Sequence, residues 1–167
     1  DGKYWALPTA VRALAMFYNK DMWKAAGLDP TKPPKTLDEM VEVSKKLTKR
    51  DASGKMTVAG WRIDLGNQDH HFYREILVRT YGGTPQSDDH KKILWTASPA
   101  GYEAWQFLVD LTVKHKVSEP TLGQDAPTAW LAQQAAMMIS GSFYLGTAKS
   151  KATFGWGGFP IPAGPKG

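Results

Sequence analysis

The stretch YWALPTAVRALAMFYNKDMWKAAGLDPTKPPKTLDEM, residues 4–40, decides the fold because it specifies a strand, a helix, a loop and a second helix in that order. Apolar and β-favouring residues predict extended segments around residues 4–7 and 14–18. Asn19 stands where a helix N-cap is expected, so a short helix is predicted over residues 20–26. The stretch therefore opens an alternating arrangement of strands and helices.

The residues after that first helix predict where it ends and where the next helix begins. Gly27 suits the left-handed position that ends many helices, and Pro33 and Pro34 prevent the helix from continuing. Thr36 and Glu39 have the spacing of a capping box, which predicts that a second helix begins there. Its apolar side should lie on the core, with the lysines outward.

The rest of the chain continues the alternation. Further signals predict a strand over 56–63, helices opened by Asp69, by Ser98 with Pro99 and by Asp125, a buried strand over 135–139, a helix after Gly141, and a last strand near 154–162. We therefore expect an α/β fold in which helices pack around a small mixed sheet.

Composition narrows the function classes. The 167 residues are enough for one well-buried domain, and no apolar run approaches the roughly 20 residues of a membrane-spanning helix. The absence of cysteine excludes thiolate metal sites and cysteine nucleophiles. The net charge of +5 invites a nucleic-acid interpretation, but the basic residues of 45–50 fall at a predicted helix end, where cations are favoured. We expect a solvated helix end and no nucleic-acid partner.

A turn after the buried strand is the first candidate binding site. A small-residue turn is predicted at Ser140, Gly141 and Ser142, and Phe143 and Tyr144 follow it at the start of a helix. Such turns offer free backbone N–H groups, and an aromatic ring can lie against the apolar C–H face of a sugar. A Phe next to a Tyr also fits an ordinary core position.

Four more residues are candidates for polar recognition. Arg12 could form two parallel hydrogen bonds to a carboxylate, a phosphate or a vicinal diol. Alternatively, it could be a surface side chain on a half-exposed strand. Asp64 and Asn67 lie in the loop WRIDLGNQD after a predicted strand, where carboxylate and amide groups suit hydroxyl ligands. Tyr73 lies one turn into the next helix and could face either the core or a cleft.

An enzymatic alternative rests on the triplet Asp69, His70 and His71, which also occurs in metal phosphoesterases. Such enzymes need further ligands on separate strands, and the remaining histidines, His90 and His115, lie in a polar loop and at a helix end. No metalloprotease, nucleotide-binding or serine-hydrolase motif occurs. We expect no catalytic residues, no metal and no cofactor.

Six motifs occur in an order that resembles one protein family: YNKD, AGLDP, PPKT, YGG, QAAMMISGS and FPIPAGP. Together they are similar to the second lobe of bacterial extracellular solute-binding proteins of family 1, the maltose-binding-protein-like components of sugar importers. The resemblance implies one lobe of a type II periplasmic-binding-protein clamshell spanning residues 1–167. It divides the chain into a hinge-proximal strand (1–18), a body (19–158) and an exit segment (159–167).

The same resemblance implies a non-catalytic component of an ABC importer that binds a carbohydrate in a cleft between two lobes. Its partners would be the sugar, the first lobe of the same protein and the transporter's membrane subunits, in the periplasm or outside the cell, either lipoprotein-anchored or free. Phe143 takes the place of the Trp platform usual in the family, and Arg12 lies near the hinge. Two alternatives remain: an anionic ligand such as glycerol phosphate or a uronate, and a plain module that docks on a transporter.

Overall fold

A computed structural model describes residues 12–64 and 68–167, apart from the side chains of 68–72. The extended segment predicted over 4–7 lies outside the described residues. The strands are β1 (Leu14–Asn19), β2 (Lys49–Arg50), β3 (Met56–Val58), β4 (Met137–Gly141) and β5 (Trp156–Phe159). The helices are α1 (Lys20–Ala25), α2 (Leu37–Leu47), α3 (Gln68–Thr80), α4 (Pro99–Val113), α5 (Ala126–Leu131) and α6 (Leu145–Lys151), with a 3₁₀ turn at Ser142–Tyr144. The predicted α/β class is confirmed.

The main sheet has β1 at its centre, in the order β4-β1-β5, with both neighbours antiparallel. A further segment, residues 59–62, runs parallel to the residues around β4. The backbone N–H of Arg62 donates to the carbonyl of Met137 at 2.9 Å, and the N–H of Ala59 donates to that of Gln134 at 2.9 Å. Parallel and antiparallel neighbours together give the mixed sheet that the sequence predicts.

The two faces of β1 point into two different hydrophobic clusters. Met16 and Tyr18 belong to the larger cluster, whereas Phe17 belongs to a smaller one with Trp130 and Tyr144. Successive side chains of a strand alternate between faces, so a strand buried on both sides needs a continuous apolar run. The sequence LAMFYN supplies that run.

The predicted end of β1 and start of α1 are confirmed. The Asn19 side chain accepts hydrogen bonds from the backbone N–H groups of Asp21 and Met22, both at 3.0 Å. These are two of the donors that a helix start leaves without an intrahelical partner. Gly27 follows the helix with φ 71°, a left-handed conformation that glycine adopts without steric cost.

Helix α2 begins with a variant of the predicted capping box. The Thr36 hydroxyl accepts from the N–H of Glu39 at 3.2 Å, as expected. The Glu39 carboxylate reaches one residue farther back and accepts from the N–H of Lys35 at 2.7 Å. Both side chains therefore bind orphan donors around the helix start.

Three strands differ in extent from the prediction, and one of them, the last strand expected near 154–162, is limited to Trp156–Phe159. The strand expected over 56–63 ends at Val58, because Gly60 lies against the backbone carbonyl of Ser44 in α2 and the chain turns there. The strand expected over 135–139 runs instead from Met137 to Gly141, since β1 extends far enough for Leu14 to pair with Gly141. The turn predicted over residues 140–142 is therefore wrong in its bounds, because Ser140 and Gly141 belong to β4 and the turn begins at Ser142.

The segment after β5 packs on the domain more closely than a departing tail would. The backbone N–H of Ala163 donates to the carbonyl of Lys35 at 2.8 Å, and its own carbonyl accepts from the N–H of Leu37 at 2.9 Å. Pro162 is buried. The division at residues 18 and 158 stays a prediction, with β1 lying inside the sheet of the body. Within the described residues, no helix combines the length and apolarity needed to cross a bilayer.

Candidate functional site

The turn after β4 is held against the segment that precedes β1. The backbone N–H of Ser142 donates to the carbonyl of Ala13 at 2.9 Å, which continues the pairing of Gly141 with Leu14. This bond places the exposed Ser142 and Phe143 beside the residues that lead into β1. Two segments far apart in sequence thus form one surface.

Arg12 and Phe143 meet on that surface. The guanidinium carbon of Arg12 lies 4.6 Å from the centroid of the Phe143 ring, which is the geometry of a cation–π contact. The Phe143 side chain remains 56% exposed, and Gly141 lies directly beneath its edge. Four predicted site residues, Arg12, Gly141, Ser142 and Phe143, are therefore neighbours.

A groove opens next to this pair. It has a volume of about 350 Å³ and is lined by Arg12, Ala13, Leu14, Glu75 and Ile76. Cavities of this size accommodate small ligands, and an apolar wall with a few polar groups is typical of their binding sites. Glu75, which the sequence did not single out, lies in α3 and lines the same groove as Arg12, so the groove has both a carboxylate and a guanidinium in its lining. In the sequence, Glu75 differs from its neighbours only as a charged residue between apolar positions of that helix, which does not by itself indicate a binding site.

Asp64 and Tyr144 both contact the first turn of α5. The Asp64 carboxylate accepts from the backbone N–H of Ala126 at 3.3 Å. The Tyr144 hydroxyl donates to the carbonyl of Pro127 at 3.4 Å, a long contact. Since Tyr144 directly follows Phe143, the first turn of α5 connects the half-buried Asp64 with the aromatic turn.

The rings of Tyr73 and Tyr144 are buried in the two clusters. Tyr73 packs at an angle to Trp61, with ring centroids 5.9 Å apart, and burial raises the pKa of its hydroxyl. Tyr144 packs edge-on against Phe17 at 5.6 Å and Trp130 at 6.2 Å. Neither ring offers a face to a ligand in this structure, so these two predicted contacts would require movement. Asn67 lies outside the described residues.

Arg62 is a structural element that the sequence did not reveal. Its side chain is only 1% exposed, and its guanidinium donates to the carbonyls of Leu122 at 2.9 Å, Pro120 at 2.6 Å and Ile63. Burial lowers the pKa of Arg62, and the negative charges of nearby carboxylates oppose that shift. The guanidinium thus fixes the loop that leads into α5.

The position of Arg62 explains why it was missed. In WRID, alternation places Arg62 opposite the buried Trp61 and Ile63, which for an ordinary strand predicts an outward-facing charge. The carbonyl acceptors at Pro120 and Leu122 come about 60 residues later and carry no side-chain signal. Only the tertiary structure brings them to the guanidinium.

The metal-site alternative finds no support in the described part of the chain. Among the described residues, no group of three His, Cys, Asp or Glu side chains is arranged to hold a metal ion. The side chains of Asp69, His70 and His71, on which the alternative rested, are outside that description.

Comparisons with known proteins give one consistent result. The sequence profile of the family described as bacterial extracellular solute-binding protein matches residues 1–167. A similar protein of Brucella abortus, named sn-glycerol-3-phosphate-binding periplasmic protein UgpB, is 28% identical over 98% of this chain and 38% of its own length. An arabinooligosaccharide-binding protein of Halalkalibacterium halodurans is 30% identical over 74% of this chain and 25% of its own length.

Solved structures show the same fold. UgpB from Mycobacterium tuberculosis, solved in complex with glycerophosphocholine, has a TM-score of 0.79 with 20% identity, over 99% of this chain and 39% of that protein. The chain therefore spans about two-fifths of the length of such relatives. Its α/β arrangement is that of one part of a periplasmic solute-binding protein.

Proposed function

The chain belongs to the bacterial extracellular solute-binding protein family, and on that premise we propose that it forms one wall of the ligand cleft in a non-catalytic substrate-binding component of an ABC importer. The ligand is a carbohydrate, held between this wall and a first lobe outside these residues. Members of this family act in the periplasm or outside the cell. The complete protein is proposed to be there either as a lipid-anchored lipoprotein or as a free protein.

The observation that carries the proposal is the pairing of Arg12 with the exposed ring of Phe143 beside a groove of about 350 Å³. An aromatic face matches the apolar C–H face of a pyranose or furanose ring. A guanidinium donates two parallel hydrogen bonds, which fit a pair of vicinal hydroxyls. Glu75 lines the same groove and can accept hydrogen bonds from further hydroxyls.

An anionic ligand is the second candidate, and Arg12 is the observation that favours it. A guanidinium binds phosphate or carboxylate through charge-assisted hydrogen bonds, which are stronger than those to neutral groups. The relatives divide in the same way, since one carries the name of a glycerol-phosphate-binding protein and another that of an arabinooligosaccharide-binding protein. Glu75 in the same groove weighs against a strongly anionic ligand through like-charge repulsion.

A thermal-shift screen of the complete protein tests the proposal. Monosaccharides, disaccharides, oligosaccharides and phosphate esters are added at increasing concentration, and a ligand that binds only the folded state raises the midpoint with concentration. We expect a shift with at least one carbohydrate. If no carbohydrate stabilises the protein at any concentration while a compound of another class does, the carbohydrate assignment is wrong.

Phe143→Ala separates ligand binding from a purely docking role. Because the ring is largely exposed, its removal should leave the ligand-free unfolding temperature close to that of the parent. The ligand-induced shift should be lost, while docking to the transporter's membrane subunits persists. Ile93→Ala removes another highly exposed apolar side chain and is the matched control, with an unchanged ligand response expected.

A further inference from the structure

Helix α4 is apolar on the side that faces solvent as well as on the side that faces the core. Leu108 and Leu111 are buried in the larger cluster. On the opposite side, Tyr102, Val109 and Val113 are 64%, 52% and 67% exposed. These three are seven and four residues apart, so they lie along one line of the helix surface. Together with Gln106 they form the outer stripe of α4.

The outer stripe has the composition of an interior surface. An ordinary surface helix carries charged residues opposite its buried side, and a helix that is apolar all round belongs in an interior. No member of the stripe is charged, and the charged Glu103 and Asp110 lie to one flank. Beside the stripe is a groove of about 330 Å³ with a mixed lining: three aromatic residues, Tyr81, Tyr102 and Phe107, and a polar rim that includes Asp38, Glu103, Asp110 and Lys114. Such a groove can receive side chains from a second element packed on α4.

We infer that, in the complete protein, the outer stripe is covered by a second amphipathic helix from the part of the polypeptide outside these 167 residues. Relatives of this chain are long enough to contain such a helix, because the chain matches only 38% of the length of the glycerol-phosphate-binding protein. The nature of the contact follows from composition. Transient interfaces are about as polar as the rest of a protein surface, whereas permanent ones resemble a core.

The occupant is therefore a permanent neighbour and not the transporter, which a binding protein must leave. Its packing side should carry apolar residues at helical spacing, because the stripe offers apolar contacts along three turns. A second copy of the protein would also be permanent, and dilution distinguishes the two. None of these steps uses the ligand or the Arg12 surface, so the inference stands or falls independently of the proposed function.

Single cysteines test the inference, since this chain has none of its own. The complete protein is prepared with Val109→Cys, Val113→Cys or, as the exposed helical control, Lys149→Cys. Reaction with a water-soluble maleimide is timed under native conditions, and each rate is divided by that of the same variant in denaturant. The complete protein without any of these substitutions is labelled in parallel, and its signal is subtracted as background.

We expect Val109→Cys and Val113→Cys to be protected by at least about ten-fold relative to Lys149→Cys, because a covered thiol reacts only when the structure opens. The protection should be the same at high and low protein concentration. Labelling of both stripe positions as fast as the control would overturn the inference. Protection that disappears on dilution would also overturn it, and would assign the stripe to a contact between copies.

Discussion

A Cβ atom at position 141 would lie 2.3 Å from Cε1 of the Phe143 ring, so the ring occupies its place only because residue 141 is glycine. The obstructed atoms belong to an exposed side chain, which can rotate away at little cost. Gly141→Ala should therefore displace the ring from its position against Arg12 with only a small loss of folding stability. We expect ligand affinity of the complete protein to fall by about ten-fold or more, measured by titration calorimetry.

Gly146→Ala is the control for that substitution. Gly146 lies in α6, and an added Cβ would meet no heavy atom within 4 Å. Alanine is favoured over glycine by up to roughly 0.5–1 kcal/mol inside a helix and by less in the first turn, where Gly146 lies, so this variant should be as stable as the parent or slightly more stable, with unchanged affinity. Equal affinity in both variants would show that the ring position does not matter for binding.

Arg12→Gln should reveal the charge of the ligand. Hydrogen bonds to charged groups contribute about 1.5–3 kcal/mol, so an anionic ligand should lose roughly ten-fold or more in affinity, and the remaining affinity should depend less on salt. A neutral sugar should lose less, because glutamine can still donate to a hydroxyl. Arg12→Lys retains the charge without the planar fork, and the comparison by calorimetry separates charge from geometry.

Arg62→Met should destabilise the protein by about 3 kcal/mol, because three loop carbonyls lose a donor and are buried around an apolar side chain. The free energy of unfolding in urea measures the loss. Arg50→Met is the control, since exposed Arg50 also donates to two backbone carbonyls, those of Gly54 at 2.9 Å and Lys116 at 3.0 Å. Its cost should be about 0.5 kcal/mol. Similar costs for the two variants would contradict the structural role assigned to burial.

Alkaline pH should destabilise the fold in part through Tyr144. Burial, with a smaller contribution from the charge of Asp125, raises the pKa of Tyr144 from 10.0 to about 12. A folded-state pKa above the unfolded value means that this contribution to stability is fully present below about pH 10 and is lost as the pH rises towards 12. Urea unfolding across that range should show a steeper fall for the parent than for Tyr144→Phe. Parallel pH profiles would contradict the assignment.

Local hydrogen bonds made parts of this fold predictable. Asn19 and Thr36 cap helices by accepting from N–H groups two or three residues away, so their roles follow from nearby sequence. The same holds for Ser98, whose hydroxyl accepts from the N–H of Gly101 at 3.2 Å. Where structure depends on neighbours close in sequence, residue type and spacing suffice.

Features that depend on distant pairing were not predictable. Ser140 and Gly141 belong to β4 because Ala15 and Leu14 lie opposite them, and no local signal distinguishes that from a turn. Arg12 and Phe143 are in contact in the candidate site, but the sequence predicts each of them only as a separate binding residue. Their contact, and the lining of the groove by Glu75, required the tertiary structure.

The central position of β1 has a consequence for how the chain folds. The first described strand is hydrogen-bonded on both sides to the last two, β4 and β5, so the sheet closes the long loops from Asn19 to Met137 and from Asn19 to Trp156. Long-range pairing of this kind slows folding, because loop entropy is lost before the contacts compensate for it. During translation, LAMFYN has no partner in the main sheet until β4 has left the ribosome, and it lacks the second partner until Phe159 has followed. The main sheet can therefore be completed only late in the synthesis of these residues.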